Sequence, residues 1–302
     1  MKKTFLAVVV ILTGLAAQAQ VRFMPLSQGP GDPKHYSKKP DFAVLEAKLP
    51  LTPKERLGLT REALMKMDQE QLDQLYGRLQ SGPIPVGDYK GTVLIKNETI
   101  VETEQKLLKS LFEKSIWGVF GKLALAGICM SRDRMECLSE WLWYGKRFYA
   151  VNEFGELQLR NAVSPRVRTE YLLKKAGLEK MIEPLSRAPV QKFNGSDMLM
   201  MFPAHVYCGL SLVDTRHESI IIDYAYGDDF KPYIPEIDGI VGREGKWIRD
   251  EIRMIRPGLY LGRAYMDRIF LLNFVLENKE VAKTNTEVSA WKNKCWTGDS
   301  WQ

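Results

Sequence analysis

The chain has 302 residues, of which 45% are hydrophobic and 26% are charged, and its formal net charge is +6. This hydrophobic fraction is enough to build a folded core and excludes a globally disordered protein. The basic excess is spread along the sequence without a long cationic block, so nucleic acid is not an expected partner.

Residues 1–19 have the three parts of a bacterial signal peptide. Lys2 and Lys3 precede the apolar stretch Phe5–Leu15, and Ala17-Gln18-Ala19 supplies the small residues at which signal peptidase cuts. The apolar stretch is too short to span a bilayer core of about 30 Å. We therefore predict export, with cleavage near Ala19, to the periplasm or the exterior of the cell.

Four cysteines lie beyond the signal: Cys129, Cys137, Cys208 and Cys295. In an oxidising compartment they can form up to two disulfides, in one of three connectivities. No pair has the C-x-x-C spacing of thioredoxin sites or haem attachment. The favoured pairing joins Cys129 to Cys137 across a short loop, with free buried thiols as the alternative.

Residues 20–51 are rich in Pro, Gly and Lys, which favours an extended arm. Residues 52–130 form a mainly helical region that opens at Thr52-Pro53, where an N-cap is followed by Pro. Its apolar spacing predicts two short helices up to about residue 79, the strand Gly91–Lys96, and a helix from about 102 to 130.

The second half of that last helix, Ile116–Met130, carries Lys122 as its one charge. A buried core helix is one interpretation of this apolar character. The other is a helix that lies at a membrane surface or gates an apolar cavity, and the sequence leaves both interpretations open.

Residues 131–280 consist mainly of short β-rich runs separated by turn residues, with a helical insertion at Val167–Leu185. We predict an antiparallel β-barrel, because closure removes exposed sheet edges. Residues 281–302 form a polar tail that packs on the barrel, tethered through Cys295. The predicted strands are Trp143–Ala150, Leu157–Val163, Met198–Val213, Ser219–Tyr226, Lys246–Arg256, Leu259–Met266 and Arg268–Glu277.

The chain lacks the common catalytic and cofactor motifs. It has no nucleophile elbow, P-loop, dinucleotide fingerprint, H-E-x-x-H motif or EF-hand loop. His35, His205 and His217 are too isolated to indicate a metal site. We therefore assign no catalytic residue, metal or cofactor.

Side chains alternate between the two faces of a barrel strand, and an apolar interior with a few polar groups is typical of a small-ligand site. On this basis Arg253, Arg263, Asn273 and Asp223 are the candidate ligand contacts, together with Trp143. For the charged run 249–253, the alternative is an outward ladder of ion pairs.

The segment Trp143–Phe148, WYGKRF, resembles the W-x-G-K-x-F element of the GXWXG family of bacterial proteins. Residues 250–277 resemble the domain of unknown function DUF4334 that often follows it. Tyr89 stands where the family's opening motif has tryptophan. The resemblance implies a lipocalin-like or fatty-acid-binding-like barrel and implies no activity.

The sequence thus predicts an α+β fold, with a calycin- or lipocalin-like antiparallel β-barrel preceded by N-terminal helices. The favoured function is binding of a small hydrophobic ligand, such as a lipid or fatty acid. One alternative is a hydrolytic enzyme acting on lipid or envelope material, with Asp223, Glu251 or His205 as acid–base groups. The other is a structural or interaction module whose barrel is filled by its own side chains.

Overall fold

The computed structural model describes residues 20–24, 41–94, 143–150, 157–175, 178–284, 287–292 and 294–295. The predicted helix over 102–130 lies outside these ranges. Within them, no helix combines the length and apolar character needed to cross a bilayer.

Nine β-strands dominate the described chain, and most of them were predicted to within a few residues. One short strand, β4, was not predicted and forms a hairpin with β5. The strands are β1 Gly87–Leu94, β2 Trp143–Phe148, β3 Leu157–Val163, β4 Val190–Phe193, β5 Ser196–Leu210, β6 Glu218–Asp223, β7 Ile248–Arg256, β8 Leu259–Met266 and β9 Ile269–Glu277.

Pairing between β3 and β5 closes eight of these strands into an antiparallel barrel. The sheet order is β3-β2-β1-β9-β8-β7-β6-β5-β4, and the additional β3–β5 ladder joins the first strand to the eighth. The strand β1, which the sequence analysis grouped with the helical region, pairs with both β2 and β9 and is part of the wall. The predicted α+β fold with an antiparallel β-barrel is confirmed.

Strand β5 is long enough to pair with both β4 and β6 along one edge, and it bends between these two pairings. Leu199 pairs with Val190 of β4, whereas His205 pairs with Asp223 of β6. Between them Phe202 has a positive φ of 54°, which an L-residue adopts at a local cost. This bend lets the β4–β5 hairpin leave the barrel while β3 stays paired along the opposite edge.

Four short helices lie between residue 41 and the first strand: α1 Phe42–Lys48, α2 Pro53–Gly58, α3 Arg61–Met65 and α4 Gln69–Gly77. Capping explains their boundaries, since Thr52 and Asp68 each complete a capping box. The expectation of an extended arm over 20–51 is wrong for α1, because Asp41 caps this helix by accepting hydrogen bonds from the next turn.

These helices cover the outer surface of the barrel over β7, β8, β9 and β1. Their apolar side chains form one cluster with outward-facing residues of the wall, so the wall has a buried face on both sides here. The cluster includes Leu59, Leu64, Leu72, Leu75 and Leu79 from the helical segment, and Leu94, Ile255, Leu259, Leu261 and Val275 from the strands.

A second apolar cluster occupies the barrel interior. Every strand of the closed ring contributes to it, which is possible only for side chains that point to the common axis. Its members include Tyr89, Phe148, Leu159, Ala204, Val206, Ile220, Ile222, Ile252, Met254, Tyr260, Ala264, Phe274 and Leu276.

The other helices in the described ranges are α5 Arg166–Lys175, α6 Ile182–Ser186, α7 Pro235–Asp238 and α8 Lys279–Thr284, with 3₁₀ turns at Glu179–Met181, Gly227–Asp229 and Val288–Ala290. The predicted helical insertion thus falls on α5 and α6. Leu173 and Leu185 pack with Met201 and Ile237 in a further cluster, which meets the barrel core at Phe202.

A disulfide joins Cys208 on β5 to Cys295 in the tail, with their Cα atoms 5.7 Å apart. The predicted tether through Cys295 therefore reaches β5, and the Cys295 amide also donates to Ser81 Oγ at 2.8 Å. Cys129 and Cys137 lie outside the described residues. The disulfide between Cys208 and Cys295 leaves these two cysteines available to each other. Their pairing stays a prediction.

Strands β1 and β2 approach each other closely at Gly145. It has a φ of +147°, and a Cβ at this position would clash with the Tyr89 carbonyl oxygen. We expect Gly145→Ala to lower the free energy of unfolding by about 3 kcal/mol or more. The matched control is Gly195→Ala, which shares the positive φ but meets open space. Equal losses for the two variants in urea denaturation would contradict the close approach.

Candidate functional site

Three of the predicted ligand contacts, Arg253, Arg263 and Asn273, lie on the outer face of the barrel under the N-terminal helices. They share that face with the outward leucines of β8, as the period-2 alternation predicted. The expectation that this face is the interior is wrong, because α1–α4 bury the outside of β7–β9 as thoroughly as the barrel buries the inside.

Arg253 is fully buried, and each of its three guanidinium nitrogens donates a hydrogen bond to the protein. Its Nη1 donates to the Tyr76 carbonyl at 3.0 Å, and its Nη2 donates to the carbonyls of Asp214 at 3.0 Å and His217 at 2.8 Å. Nε donates to Ser219 Oγ at 2.9 Å. Arg253 therefore fixes α4 and the β5–β6 connection to the wall.

Arg263 and Asn273 hold the same helix by polar contacts. Arg263 forms an ion pair with Asp73 and donates to the Tyr265 hydroxyl at 2.9 Å, while Asn273 Nδ2 donates to Gln69 Oε1 at 2.7 Å. Burial alone would lower the pKa of Arg263, but the charge of Asp73 and the Tyr265 hydroxyl raise it overall. The guanidinium stays charged and acts as scaffold.

The acid–base candidates of the hydrolytic alternative also face outward. Asp223 Oδ2 accepts a hydrogen bond from the Tyr207 hydroxyl at 3.1 Å. Glu251 is fully buried and forms an ion pair with Arg249 at 3.1 Å. Glu251 is thereby enclosed by protein groups. Within the described residues, no contact pairs it with Asp223 for acid–base catalysis.

Neither described histidine lies in the barrel interior. His205 Nε2 is 3.6 Å from Asp229 Oδ2, and its ring packs on Phe230. His217 Nε2 is 2.9 Å from a carboxylate oxygen of Glu46 and connects the β5–β6 connection to α1. Within the described ranges, no three His, Cys, Asp or Glu side chains are arranged to hold a metal ion.

A compact group of polar side chains does project into the barrel. It comprises Trp143 and Lys146 from β2, Asn161 from β3, Tyr224 just after β6, and Asp250 from β7, and we call it the interior polar cluster. Apart from Trp143, which is half-buried, its members are buried. A lysine and an aspartate therefore face an otherwise apolar core.

Lys146 is the centre of this cluster. Its ammonium donates to Asp250 Oδ2 at 2.8 Å, to Asn161 Oδ1 at 2.8 Å and to the Tyr224 hydroxyl at 2.5 Å. An ammonium group has three donors, so these contacts satisfy it completely. Such satisfaction is what a buried charge requires.

The partners of Lys146 are also connected to one another. The Tyr224 hydroxyl donates to Asp250 Oδ2 at 3.0 Å and accepts from Asn161 Nδ2 at 3.0 Å. Trp143 Nε1 donates to Asn161 Oδ1 at 2.9 Å. The network thus fixes the orientation of the lysine, the carboxylate and the phenol relative to one another.

Aromatic rings surround the ammonium. Lys146 Nζ is 5.4 Å from the ring centroid of Trp143, 5.3 Å from that of Tyr224 and 5.5 Å from that of Phe274. Burial lowers the pKa of Lys146, with the Asp250 carboxylate opposing the shift. Burial, together with the charge of Asp250, raises the pKa of Tyr224 well above its usual value. The phenol is therefore neutral and able to donate a hydrogen bond.

The middle of the barrel is filled by its own side chains. Any space large enough for a water molecule would leave accessible surface on the residues around it. Several inward-facing residues of the middle have none at all: Leu159, Ala204, Ile220, Ile222, Ile252 and Leu276.

Inward-facing residues keep accessible surface around the interior polar cluster. The Asp250 side chain retains 6% of its surface, and Ala264, directly opposite Asp250 on β8, retains 9%. Trp143, Ile248 and Leu272 nearby are only partly buried. Some accessible surface therefore remains beside Asp250.

The cluster lies towards one end of the barrel, and the chain itself crosses the other end. At that far end the Tyr260 hydroxyl donates to the Pro83 carbonyl at 2.8 Å, and Cys295 packs into the core beside Ser81. The near end is where β2 and β7 begin.

Of the predicted site residues, Trp143 is the one that the structure places in this cluster. Sequence reasoning missed Lys146, Asn161, Tyr224 and Asp250. One signal was available in β7. Asp250 alternates along the strand with the apolar residues Ile248, Ile252 and Met254, so it is the charged residue among the four on that face.

Comparison with known proteins does not assign this chain to a family. No family model matches it, and no curated protein matches it. It is similar to a solved structure described as the crystal structure of a protein from Thermomonospora curvata, with 13% sequence identity, a TM-score of 0.32, and coverage of 70% of this chain and 88% of that one. This likeness carries no argument about function.

The Lys146–Asp250 pair predicts strong coupling in a double-mutant cycle. Lys146→Met or Asp250→Leu alone leaves an uncompensated buried charge and should cost about 3–5 kcal/mol of unfolding free energy. The double variant should lose less than the sum by about 2 kcal/mol or more. As control, the exposed pair Lys192–Asp197 should couple by less than about 1 kcal/mol. Equal coupling in both cycles would contradict the buried pair.

Proposed function

We propose that this protein is an exported β-barrel that binds a small apolar molecule by its polar head at the interior polar cluster. The observation that carries the proposal is the inward-facing Lys146–Asp250 pair, located where inward side chains keep accessible surface. A mostly apolar site with a few oriented polar groups is the usual anatomy of small-molecule binding.

The charges of the cluster favour a neutral oxygen on the ligand. Lys146 and Asp250 balance each other, so an added carboxylate would face the aspartate without a free cation to offset it. A hydroxyl or carbonyl can share the hydrogen bonds of Tyr224 and Asp250 at a lower cost. Among lipid-like molecules, alcohols, aldehydes and ketones therefore suit the site better than ionised fatty acids.

The filled middle of the barrel limits the size of the ligand. Ala264, Ile248, Leu272 and Trp143 keep accessible surface beside the interior polar cluster, so we place the apolar body of the ligand at the near end. A short chain or a single ring suits this space better than a long acyl chain passing through the barrel.

Two features support the export that the N-terminal sequence predicts. The Cys208–Cys295 disulfide is typical of proteins in oxidising compartments. Val21 is buried against the N-terminal helices, and the Met24 backbone exchanges two hydrogen bonds with the Gln74 side-chain amide. Cleavage near Ala19 would leave both contacts intact.

The proposed relationship to the GXWXG family fits this site, because the W-x-G-K-x-F element contributes both Trp143 and Lys146. The rival to ligand binding is a structural module, and the fully packed middle of the barrel favours it. Titration with a small probe separates the two functions.

Octanol is a suitable probe because it has a neutral hydroxyl and a short apolar chain. We expect isothermal titration to detect binding to the mature protein, and Ala264→Leu to weaken the affinity by about tenfold or more, since the added side chain fills the space beside Asp250. Ala47→Leu, on the exposed face of α1, is the matched control and should bind normally. Absence of octanol binding to the wild type would favour the structural module.

Export is tested by expressing the full chain in a bacterial host and measuring intact mass in each cell fraction. We expect a species that begins at Gln20 in the periplasm or medium, with at least the Cys208–Cys295 disulfide oxidised. A protein that keeps Met1 and stays in the cytoplasm would contradict the proposal.

A further inference from the structure

We infer that Lys146 is a carbonyl-reactive amine that forms a reversible Schiff base with an apolar aldehyde or ketone. This inference rests on the proposed function and names the ligand class of the same site. Its basis is the arrangement of one primary amine, one carboxylate and one phenol within hydrogen-bonding distance of each other, inside an aromatic wall.

The position of Lys146 is difficult to explain by stability alone. Replacing a buried ion pair with well-packed apolar residues is often neutral or stabilising, so such a pair is a weak stabilising device. Of the lysines whose side chains the structure describes, Lys146 is the one classed as buried. A functional use of its amine accounts for the cost of enclosing it.

The apolar surroundings provide the environment that imine chemistry requires. Lysines that form Schiff bases are activated when desolvation increases the share of neutral amine. The rings of Trp143, Tyr224 and Phe274 enclose Nζ, and burial acts on the lysine in this direction. Exclusion of water also protects an imine, once formed, from hydrolysis.

The partners of Lys146 match the proton transfers of the reaction. Asp250 accepts a proton from the ammonium, and the neutral Nζ attacks the carbonyl carbon to form a C–N bond. The oxygen receives a proton from the Tyr224 hydroxyl, which regains one from Asp250, and the carbinolamine forms. The nitrogen, which still carries two protons, then gives one of them to Asp250, and the hydroxyl takes up a proton from Asp250 through Tyr224. The freed nitrogen lone pair forms the C=N bond as the C–O bond breaks and water departs.

The overall step is balanced without any co-reactant. An ammonium and an aldehyde give a protonated imine and water, so the net charge of the cluster is the same before and after. The imine N–H remains beside the Asp250 carboxylate, which serves as its counter-ion. Tyr224 and Asp250 are hydrogen-bonded at 3.0 Å, which allows the proton to pass between them.

Octanal with borohydride reduction tests the inference, because reduction converts an imine into a stable secondary amine. With equimolar octanal, we expect one adduct by intact mass, mapped by peptide digestion to Lys146 at a yield about tenfold or more above any exposed lysine. Lys146→Arg keeps the positive charge beside Asp250 but should lose the adduct. Lys192→Arg, an exposed lysine paired with Asp197, should keep it.

The variant Asp250→Asn distinguishes a Lys146 that reacts with the aldehyde from a Lys146 that is only buried. It removes the proton acceptor and counter-ion, so the variant should form the Lys146 adduct about tenfold more slowly while still folding by circular dichroism. Modification spread over exposed lysines, with Lys146 unmodified in the wild type, would overturn the inference.

Octanol distinguishes failure of this inference from failure of the proposed function. Binding of octanol without an octanal adduct at Lys146 removes the Schiff base and leaves ligand binding in place. Failure of both probes removes both proposals.

Discussion

The β3–β5 ladder is the pairing on which the rest of the structure depends. Without it the sheet would be open, with the edges of β3 and β5 unpaired. The ladder requires β5 to bend at Phe202, so that β3 follows one edge while β4 and β6 share the other. Once the ring is closed, the faces of all strands become fixed as inside or outside, and Lys146 and Asp250 are brought together across it.

Much of the fold could be predicted from the sequence because β-strands and turns have local signals. The runs Leu157–Val163 and Leu259–Met266 were predicted with their observed limits. The β4–β5 hairpin was missed because β4 is only four residues long and follows a helix almost directly. Helix α1 was missed because its capping residue lies in a segment whose Pro and Lys content resembles a linker.

The site was harder to predict, and the reason is specific. Period-2 alternation identifies which residues share a face, but it cannot identify the inner face when both faces are buried. Arg263 and Asn273 interrupt an apolar face that packs against α4, whereas Asp250 interrupts the one that lines the barrel. Only the docking of the N-terminal helices, a long-range contact, decides between these two patterns.

The Cys208–Cys295 bond has a consequence for how the protein matures. It encloses a loop of 87 residues that contains β6 to β9, and its formation should reduce the entropy of the unfolded chain by an amount worth about 4–5 kcal/mol. Cys295 follows β9 in the sequence, so this disulfide can form only after every strand of the barrel has been synthesised. A chain that ends before Cys295 would therefore form the barrel without this disulfide. Such a barrel should open more readily and be more susceptible to proteolysis.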